Sequence, residues 1–421
     1  MAIIKQIHAR EILNSKGNPA IETTVVLSDG ASATASCPSG TSVGTYEAVD
    51  LKDNDSKRFK GLGVLKAVDH VKNSIAPKLV GMEASNQADT DNVMIELDGT
   101  KNKSKLGANA TLSVSMAVCK ASAKSHQIPL FMYIRQFSSQ ADPLKTPTPL
   151  FNLINGGKHA SSNLDFQEFF LIPATSKTYE ECILIGFNVT KALSEILVDN
   201  NLNTLVGDEG GFGPKLSKNS EALQLLKDAV DRESIRFGFD VFFGIDAASN
   251  SFFNKKNYRL KDRSSPYSAE DLINYYKDIN NAYHLLYLED PFAEDDWSNW
   301  AYLSEQISNT IIVGDDLTVT NPFRLQTALD KKAIGGVIVK PNQIGTVIET
   351  LAVVEIAKSE GLKIIVSHRS GETNEDFIAD FAVGVSSDYV KFGALQRGER
   401  MAKYNRLLYI NEQLKSVQKS T

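Results

Sequence analysis

Six short apolar runs in the C-terminal half of the chain each stop at an ionisable side chain. The runs are VFFGID, LLYLED, TIIVGDD, GVIVK, KIIVSH and DYVK, and their apolar stretches break off at Asp246, Glu289, Asp315, Lys340, His368 and Lys391. Each interval between end points leaves room for a strand, a helix and two turns. Because the C-terminal strand ends of a parallel βα barrel meet on one rim, we expect these side chains to converge there. The pattern predicts a metal site that faces a base and an anion-binding group.

The three acidic end points are the predicted metal ligands. Asp246, Glu289 and Asp315 would repel one another unless a cation compensated their charge, and ligation by oxygen alone suits Mg²⁺ better than zinc or copper. The alternative for any one of them is a helix cap or a surface ion pair. Their recurrence in successive βα units favours the metal site.

Two further strand ends supply a candidate base and a candidate phosphate-binding group. Lys340, in VIVKPNQIG, follows an apolar run, and burial beside a cation would lower its pKa and make it available as a base. The alternative is a lysine that reaches from the rim into solvent. The segment VSHRSGET brings His368, Arg369 and Ser370 to the next strand end. A guanidinium and a hydroxyl suit phosphate, although a helix-capping serine beside a solvated arginine remains the alternative.

Two earlier segments also carry candidate site residues. NTLVGDEGGFGP places Asp208 and Glu209 before two glycines, where the backbone can approach a ligand, and Glu209 is a candidate general acid. FNLINGGKHASSNLDFQEFFLIP offers His159 on a glycine-rich segment and places Gln167 and Glu168 in an apolar strand. A polar pair in such a strand needs partners, although His159 alone would more often be structural. The glycine-rich segments lack nucleotide-binding patterns, so nucleotide binding has little support.

Together these groups suit the removal of a proton next to a carboxylate. The substrate is already an anion, so the second negative charge that develops must be neutralised by metal. If the neighbouring carbon carries a hydroxyl, a second group must protonate it as it leaves. Glu209 would supply that proton.

Composition limits the classes of protein that remain. The 421 residues, 42% of them hydrophobic, can bury a core large enough for a barrel and a second domain. The net charge of −6 and the lack of a dense basic cluster exclude nucleic acid as the expected partner. We find no apolar stretch of membrane-spanning length and no signal sequence. Cys37, Cys119 and Cys182 lack disulfide or zinc spacing. We therefore expect a cytoplasmic protein with free thiols.

The first part of the chain has the pattern of a small α+β domain. Residues 3–27 alternate apolar and polar, and the SDG turn after them predicts antiparallel strands. Helical spacing follows at 63–80 and 109–126, and the second helix should be buried. Between strands and helices, the Gly- and Ser-rich residues 38–47 predict a mobile functional loop. We place the first domain at residues 1–138, because the proline-rich SSQADPLKTPTP is a natural connector.

The second domain, residues 139–421, alternates strands and helices and predicts a parallel βα barrel, although its first part is less regular. One helix should begin after Asn321, because an Asn cap precedes Pro322. Another should end before Gly361, because glycine suits the left-handed position that follows a helix. The expected fold class is α/β, with a C-terminal barrel after a smaller α+β domain.

Ten motifs along the chain carry a resemblance to a known family. They are PSGTSVGTYEA, LDGTKNKSKLGANA, INGGKHA, QEF, GDEGGF, LEDPF, GDDLTVTNP, NQIG, SHRSGET and AKYN. In this order and over nearly its whole length, the chain resembles the enolase family. The resemblance implies the reversible dehydration of 2-phosphoglycerate, a small phosphorylated acid, to phosphoenolpyruvate in glycolysis and gluconeogenesis. It also implies an eight-stranded barrel with a modified start, and a homodimer or a higher homo-oligomer.

The resemblance also assigns roles to residues. It implies that Lys340 takes the C2 proton and that Glu209, supported by Glu168, releases the C3 hydroxyl. It assigns two Mg²⁺ ions per site. The first ion would be held by Asp246, Glu289 and Asp315. The second would bind with substrate and be reached by Ser42 when the loop at 38–47 closes.

The phosphate would be held by Arg369 and Ser370. His368 belongs to the implied catalytic set. The remaining side chains implied to complete the substrate pocket are His159, Gln167 and Lys391.

Several positions depart from the family pattern. NSKGNP, with Asn14 and Lys16, replaces DSRGNP, and Pro341 and Phe392 follow the two rim lysines. Phe392 stands where the family has threonine, so we expect its bulky ring to lie beside the substrate. Tyr409 stands where the family commonly has an arginine that pairs across the dimer. These changes motivate an alternative function, a catalytically weakened paralogue that acts as a binding or scaffold protein. Another alternative is an acid-sugar dehydratase of the same superfamily, which fits the three acids but not the complete set of motifs.

Overall fold

The computed structural model describes residues 2–40, 44–138, 143–160 and 164–418. It begins with a three-stranded antiparallel sheet in the order β1 (Ile4–Leu13), β2 (Pro19–Leu27) and β3 (Ser32–Ser36). Alternate side chains of β2 are fully buried, as the period-two pattern predicts. The SDG turn joins β2 to β3, and Gly30 adopts a positive φ of 92° there. The predicted antiparallel start is confirmed.

Helices cover this sheet on one side. They are α1 (Leu65–His70), α2 (Ala76–Leu79), α3 (Gln87–Asp98), α4 (Ala108–Ser125) and α5 (Leu130–Arg135). A π-helical segment, Val71–Ile75, joins α1 to α2 where the sequence predicted one continuous helix. Helix α4 is buried along nearly its whole length and packs against β2 and β3, because its residues are small. The prediction of a buried helix is confirmed.

The remaining strands form a barrel. They are β4 (Thr148–Pro149), β5 (Phe151–Asn155), β6 (Glu168–Pro173), β7 (Val241–Asp246), β8 (Leu285–Glu289), β9 (Ile311–Gly314), β10 (Gly336–Val339), β11 (Lys363–Ser367) and β12 (Tyr389–Lys391). Only Leu150 separates β4 from β5, and its backbone N–H donates to Val390 at 2.8 Å. This continuous stretch pairs with β12 at one end and with β6 at the other. In the described part of the chain, the sheet therefore closes as an eight-stranded barrel.

The start of the barrel departs from strict βα repetition. Strand β6 runs antiparallel to both β5 and β7, whereas the strands from β7 to β12 are parallel. Two helices lie between β6 and β7, and one follows most later strands. The barrel helices are α6 (Tyr179–Asp199), α7 (Asn219–Arg232), α8 (Ala269–Tyr283), α9 (Trp297–Gln306), α10 (Pro322–Asp330), α11 (Val347–Ser359), α12 (Phe377–Gly384) and α13 (Gly398–Gln418). The modified start explains the irregular sequence pattern.

Helix ends follow the predicted signals. The side chain of Asn321 accepts hydrogen bonds from the backbone of Phe323 and Arg324 at 2.9 and 3.3 Å, and so caps α10. Gly361 follows α11 with a φ of 70°. Short 3₁₀ helices occupy Phe59–Gly61, Ser249–Ser251 and Pro341–Gln343.

An apolar layer fills the barrel beneath its C-terminal rim. It consists of Leu150, Phe170, Ile172, Tyr287, Val313, Ile338, Ile365 and Tyr389. The ionisable strand ends lie at the rim above this layer. The three cysteines are buried and unpaired. Among the described residues, no helix is long and apolar enough to cross a membrane.

Candidate active site

A cavity opens at the C-terminal rim of the barrel. Most of the residues predicted from the sequence line it. These are His159, Gln167, Glu168, Glu209, Asp246, Asp315, Lys340, His368, Arg369, Ser370 and Lys391. Glu289 is fully buried at the end of β8 and contacts Lys391. Ser42 lies outside the described residues. The structure therefore brings the described candidates together, while their roles stay predictions.

Lys391 holds three carboxylates together at the ends of β6, β7 and β8. Its Nζ donates to Glu289 at 2.9 and 3.0 Å and to Asp246 at 3.1 Å, and it lies 3.3 Å from Glu168. Burial alone would lower the pKa of Lys391, but the negative charges of Asp246, Glu168 and Glu289 outweigh it and raise that pKa well above its ordinary value. Lys391 is therefore a fixed positive charge among the predicted metal ligands.

Crowding of acids at this rim penalises their ionisation. Burial, and then the neighbouring Asp246, raise the pKa of Glu289 well above its ordinary range. The hydroxyl of Tyr287 donates to Glu289 from within the barrel. An added cation would favour the ionised form of these buried oxygens.

Lys340 forms an ion pair with Asp315 across the ends of β9 and β10. Its Nζ lies 2.5 Å from Asp315 Oδ2, and Gln343 Nε2 donates to Asp315 Oδ1 at 3.0 Å. Burial lowers the pKa of Lys340, but the Asp315 carboxylate outweighs that effect and raises it overall. The lowered pKa was predicted for a lysine beside a bound cation and stays a prediction for that state, whereas the direct contact between base and acid was not evident from the sequence pattern.

A second acidic group lies beside the predicted one. Oxygens of Asp290, Asp315 and Asp316 lie within 4.8 Å of one another. The Asp290 carboxylate accepts the backbone N–H groups of Asp315 and Asp316 at 3.0 and 2.8 Å, so it fixes the segment after β9. Burial, and then Asp316, raise the pKa of Asp290 well above its ordinary range. Burial, and then Asp315, raise that of Asp316 to about 7.

The donor chemistry of this rim fits a hard divalent cation. The acids offer oxygen alone, and burial together with neighbouring acids raises the pKa of Glu289 and of Asp290. The oxygens of Asp290, Asp315 and Asp316 lie close enough together to hold such an ion. Among the described residues, the predicted set of Asp246, Glu289 and Asp315 does not form such a group in this arrangement, so its joint ligation stays a prediction. Sequence reasoning missed Asp290 and Asp316, although the doubled acids of LED and GDD were a signal.

A buried cluster of two histidines and two glutamates faces the same cavity. His159 Nδ1 lies 3.3 Å from Glu209 and 3.5 Å from Glu168, and His368 Nε2 lies 3.5 Å from Glu209. Although burial opposes its charge, Glu209 and Glu168 raise the pKa of His159 to about 10. Burial lowers that of His368 to about 3, and Arg400 donates to its Nδ1 at 2.7 Å. His159 is therefore the charged histidine of the cluster, and His368 is the neutral one.

The two glutamates of this cluster differ in their affinity for a proton. Burial, and then the negative charge of Glu209, raise the pKa of Glu168 to about 7. Burial also acts on Glu209, but the charge of His159 outweighs it and holds the pKa of Glu209 well below its ordinary value. Asn152 Nδ2 donates to Glu209 at 3.1 Å. A proton shared by this pair therefore resides mainly on Glu168.

Arg369, the predicted phosphate-binding residue, is paired with an acid that sequence reasoning missed. Its guanidinium donates to both carboxylate oxygens of Glu47, at 2.8 and 3.1 Å, and to Asn342 at 3.1 Å. Arg369 and Glu47 are both buried. A Cβ atom on Gly40 would lie 1.9 Å from Arg369 Nη2, so a side chain at this position would have to displace the guanidinium. The signal for Glu47 was its position inside the motif PSGTSVGTYEA.

The structure accommodates three of the residues that depart from the family pattern, Lys16, Pro341 and Phe392. Lys16 forms an ion pair with Asp208. Pro341 begins a 3₁₀ turn, where a missing N–H is tolerated. Phe392 does not line the described cavity, contrary to our expectation that it lies beside substrate. It is fully buried, and its ring centroid lies 6.0 Å from that of Tyr404.

Comparison with known protein families agrees with the fold and with the motifs. Residues 4–134 match the family model described as the enolase N-terminal domain. Residues 143–420 match the one described as the enolase C-terminal TIM barrel domain. The two matches together cover nearly the whole chain, including every described residue that lines the cavity. The chain belongs to the enolase family.

Proposed function

We propose that this protein is a lyase that converts 2-phosphoglycerate reversibly to phosphoenolpyruvate with the help of Mg²⁺. One observation carries the proposal: Lys340, the Glu168 and Glu209 pair, and Arg369 line one buried cavity at the barrel rim. These are a base, an acid pair and an anion-binding group. They are the groups that removal of a proton and loss of a hydroxyl from a phosphorylated acid require.

Lys340 is the proposed base for the C2 proton. Contact with the Asp315 carboxylate raises the pKa of Lys340. Lys340 can therefore accept a proton only when Asp315 Oδ2 contacts another group instead. Mg²⁺ at Asp246, Glu289 and Asp315 would neutralise the charge that develops on the substrate carboxylate. Lys391 supports the same region, because its ammonium remains positive among the carboxylates.

The proposed acid is the pair of Glu168 and Glu209 rather than Glu209 alone. The pKa of about 7 gives Glu168 a proton to supply near neutral pH, whereas Glu209 is held ionised by His159. Because both contact His159, the histidine can orient the two carboxyl groups toward the leaving hydroxyl.

Arg369 and Ser370 are the proposed phosphate-binding residues, with His159, Gln167 and His368 completing the pocket. Glu47 fixes the guanidinium plane of Arg369 from the side of the N-terminal domain. A second Mg²⁺ reached by Ser42, and a homodimer, are proposed from the family resemblance. We also propose domains at 1–138 and 139–421, which the separate family matches support.

The proposal is tested by following phosphoenolpyruvate absorbance after 2-phosphoglycerate is added to the folded protein. We expect product only with Mg²⁺, and no product after chelation. A panel of acid sugars assayed under the same conditions serves as control. Absence of phosphoenolpyruvate at saturating Mg²⁺, or turnover of an acid sugar in its place, would overturn the proposal.

A further inference from the structure

The turn between β10 and α11, residues 341–346, is held by the N-terminal part of the chain. The backbone N–H of Ala48 donates to the carbonyl of Gln343 at 2.9 Å. The Thr111 hydroxyl donates to the carbonyl of Gly345 at 2.8 Å. These contacts join residues that are far apart in sequence, and they place the turn against helix α4.

The first turn of α11 is capped across the same contact surface. The N–H of Val347 donates to Ser115 Oγ at 2.9 Å, and that of Ile348 donates to Asp91 Oδ2 at 3.0 Å. The next N–H, of Glu349, uses Thr346 of the same turn at 3.3 Å. A helix usually satisfies its first N–H groups with its own N-cap residue. Here α3 and α4 supply two of the three acceptors.

Asp91 contacts the backbone of Ile348 and has no exposure to solvent. It is fully buried on α3. Its carboxylate also accepts hydrogen bonds from Ser115 Oγ at 2.9 Å and from Gln87 Nε2 at 3.0 Å. A buried carboxylate is unfavourable unless it is hydrogen-bonded and compensated, and the N-terminus of α11 provides both a donor and a partial positive charge.

The opposite side of the turn contacts the proposed active site. Gln343 Nε2 donates to Asp315 at 3.0 Å, and Asn342 Oδ1 accepts from Arg369 at 3.1 Å. Lys340 immediately precedes the turn. A small displacement of residues 341–346 would therefore move the base, a proposed metal ligand and the proposed phosphate-binding group relative to one another.

We propose that Asp91 and Ser115 are positioning residues for catalysis, which cap α11 from the N-terminal domain and thereby fix the β10–α11 turn beside Lys340. This inference rests on the proposed function. Neither residue lines the cavity, and both act through the turn.

Ser115→Ala tests the inference against Ser113→Ala as a matched control. Both serines are fully buried on α4, but Ser113 bonds with Thr23 at 2.7 Å inside the N-terminal domain. The two variants should lose similar thermal stability. We expect kcat of Ser115→Ala to fall about tenfold with KM nearly unchanged, because misplacement of catalytic groups lowers the rate of the bound complex. Ser113→Ala should keep the wild-type kcat.

Amide hydrogen exchange gives a readout that does not depend on activity. Exchange at Val347 and Ile348 should accelerate in Ser115→Ala and remain at the wild-type rate in Ser113→Ala. Asp91→Asn, which keeps an acceptor oxygen of the same size, should recover most of the kcat that Asp91→Ala loses. These variants cover the case in which Ser115→Ala fails to fold.

The outcomes separate the two proposals. If the wild-type protein produces no phosphoenolpyruvate, the proposed function fails. If the wild-type protein is active but Ser115→Ala and Asp91→Ala both match Ser113→Ala in kcat, the positioning role alone is overturned. Unchanged exchange at Val347 and Ile348 in Ser115→Ala would likewise overturn it.

Discussion

Lys340 Nζ lies 2.5 Å from Asp315 Oδ2, so the proposed base and a proposed metal ligand neutralise each other. This contact links the two functions of the rim. The carboxylate that stabilises the lysine ammonium is one that a divalent cation would also attract. Occupation of the acidic site and availability of the base are therefore expected to be coupled.

Mg²⁺ should stabilise the fold as well as support turnover. The buried Glu289 is crowded by Asp246, and a bound cation would compensate that charge. At about 100 times the dissociation constant, a ligand that binds only the folded state adds about 2.7 kcal/mol to the free energy of unfolding. Thermal unfolding with and without Mg²⁺ measures this effect. Glu289→Gln should show a smaller rise in Tm, and an equal rise in that variant would remove Glu289 from the site.

Glu47→Ala should destabilise the protein strongly and raise KM for the phosphorylated substrate. It leaves the buried guanidinium of Arg369 without its bidentate partner, and breaking a buried pair costs about 3–5 kcal/mol. Urea unfolding gives the free energy, and initial rates give KM. The matched control is Glu195→Ala, which breaks a surface pair with Arg232 in which the two side chains are 68% and 40% exposed, and it should cost far less free energy of unfolding. Equal losses of unfolding free energy in the two variants would contradict the predicted role of Glu47.

Asp91 should make stability rise as the pH falls. Burial raises the pKa of Asp91, and the nearby Glu349 adds to this effect. Together they outweigh the hydrogen bonds from Ser115, Ile348 and Gln87, so the pKa rises from 3.8 to about 6. Between about pH 4 and pH 6 the folded state therefore binds more protons than the unfolded state, and the free energy of unfolding decreases as the pH increases.

The contribution of Asp91 is isolated by comparison with Asp91→Asn. As the pH is lowered from about 6 to about 4, the free energy of unfolding of the wild-type protein should increase by up to about 3 kcal/mol relative to that of the variant. Urea unfolding of both proteins at several pH values measures the difference. If the free energies of unfolding of the two proteins change in parallel with pH, the pKa of Asp91 is not raised in the folded state.

Sequence periodicity was sufficient to predict the barrel and the location of its ionisable strand ends. Asp246, Glu289 and Lys391 are the last residues of their strands, as the apolar runs predicted. Such runs are local, so they can be read without knowing the fold. The family motifs added the modified start of the barrel, which the alternating pattern alone did not specify.

The partners of these residues were not predictable in the same way. Glu47 pairs with Arg369 across 322 positions of the sequence, and Gln343 reaches Asp315 from the following turn. The contact between Lys340 and Asp315 was not predictable for the same reason, because it depends on a single side-chain distance. Periodicity predicts which side of a helix or strand is buried, whereas the pKa of a side chain depends on which charged groups lie next to it.

The central claim, that Lys340 removes the C2 proton, is tested most directly by solvent exchange at that carbon. Incorporation of deuterium at C2 of 2-phosphoglycerate in D₂O with Mg²⁺ can be followed by NMR for the wild-type protein and for folded Lys340→Ala. The account predicts exchange and phosphoenolpyruvate formation with the wild-type protein, and loss of both, by about 10³-fold or more, with the variant. Exchange that persists in Lys340→Ala at a rate near that of the wild-type protein would contradict it.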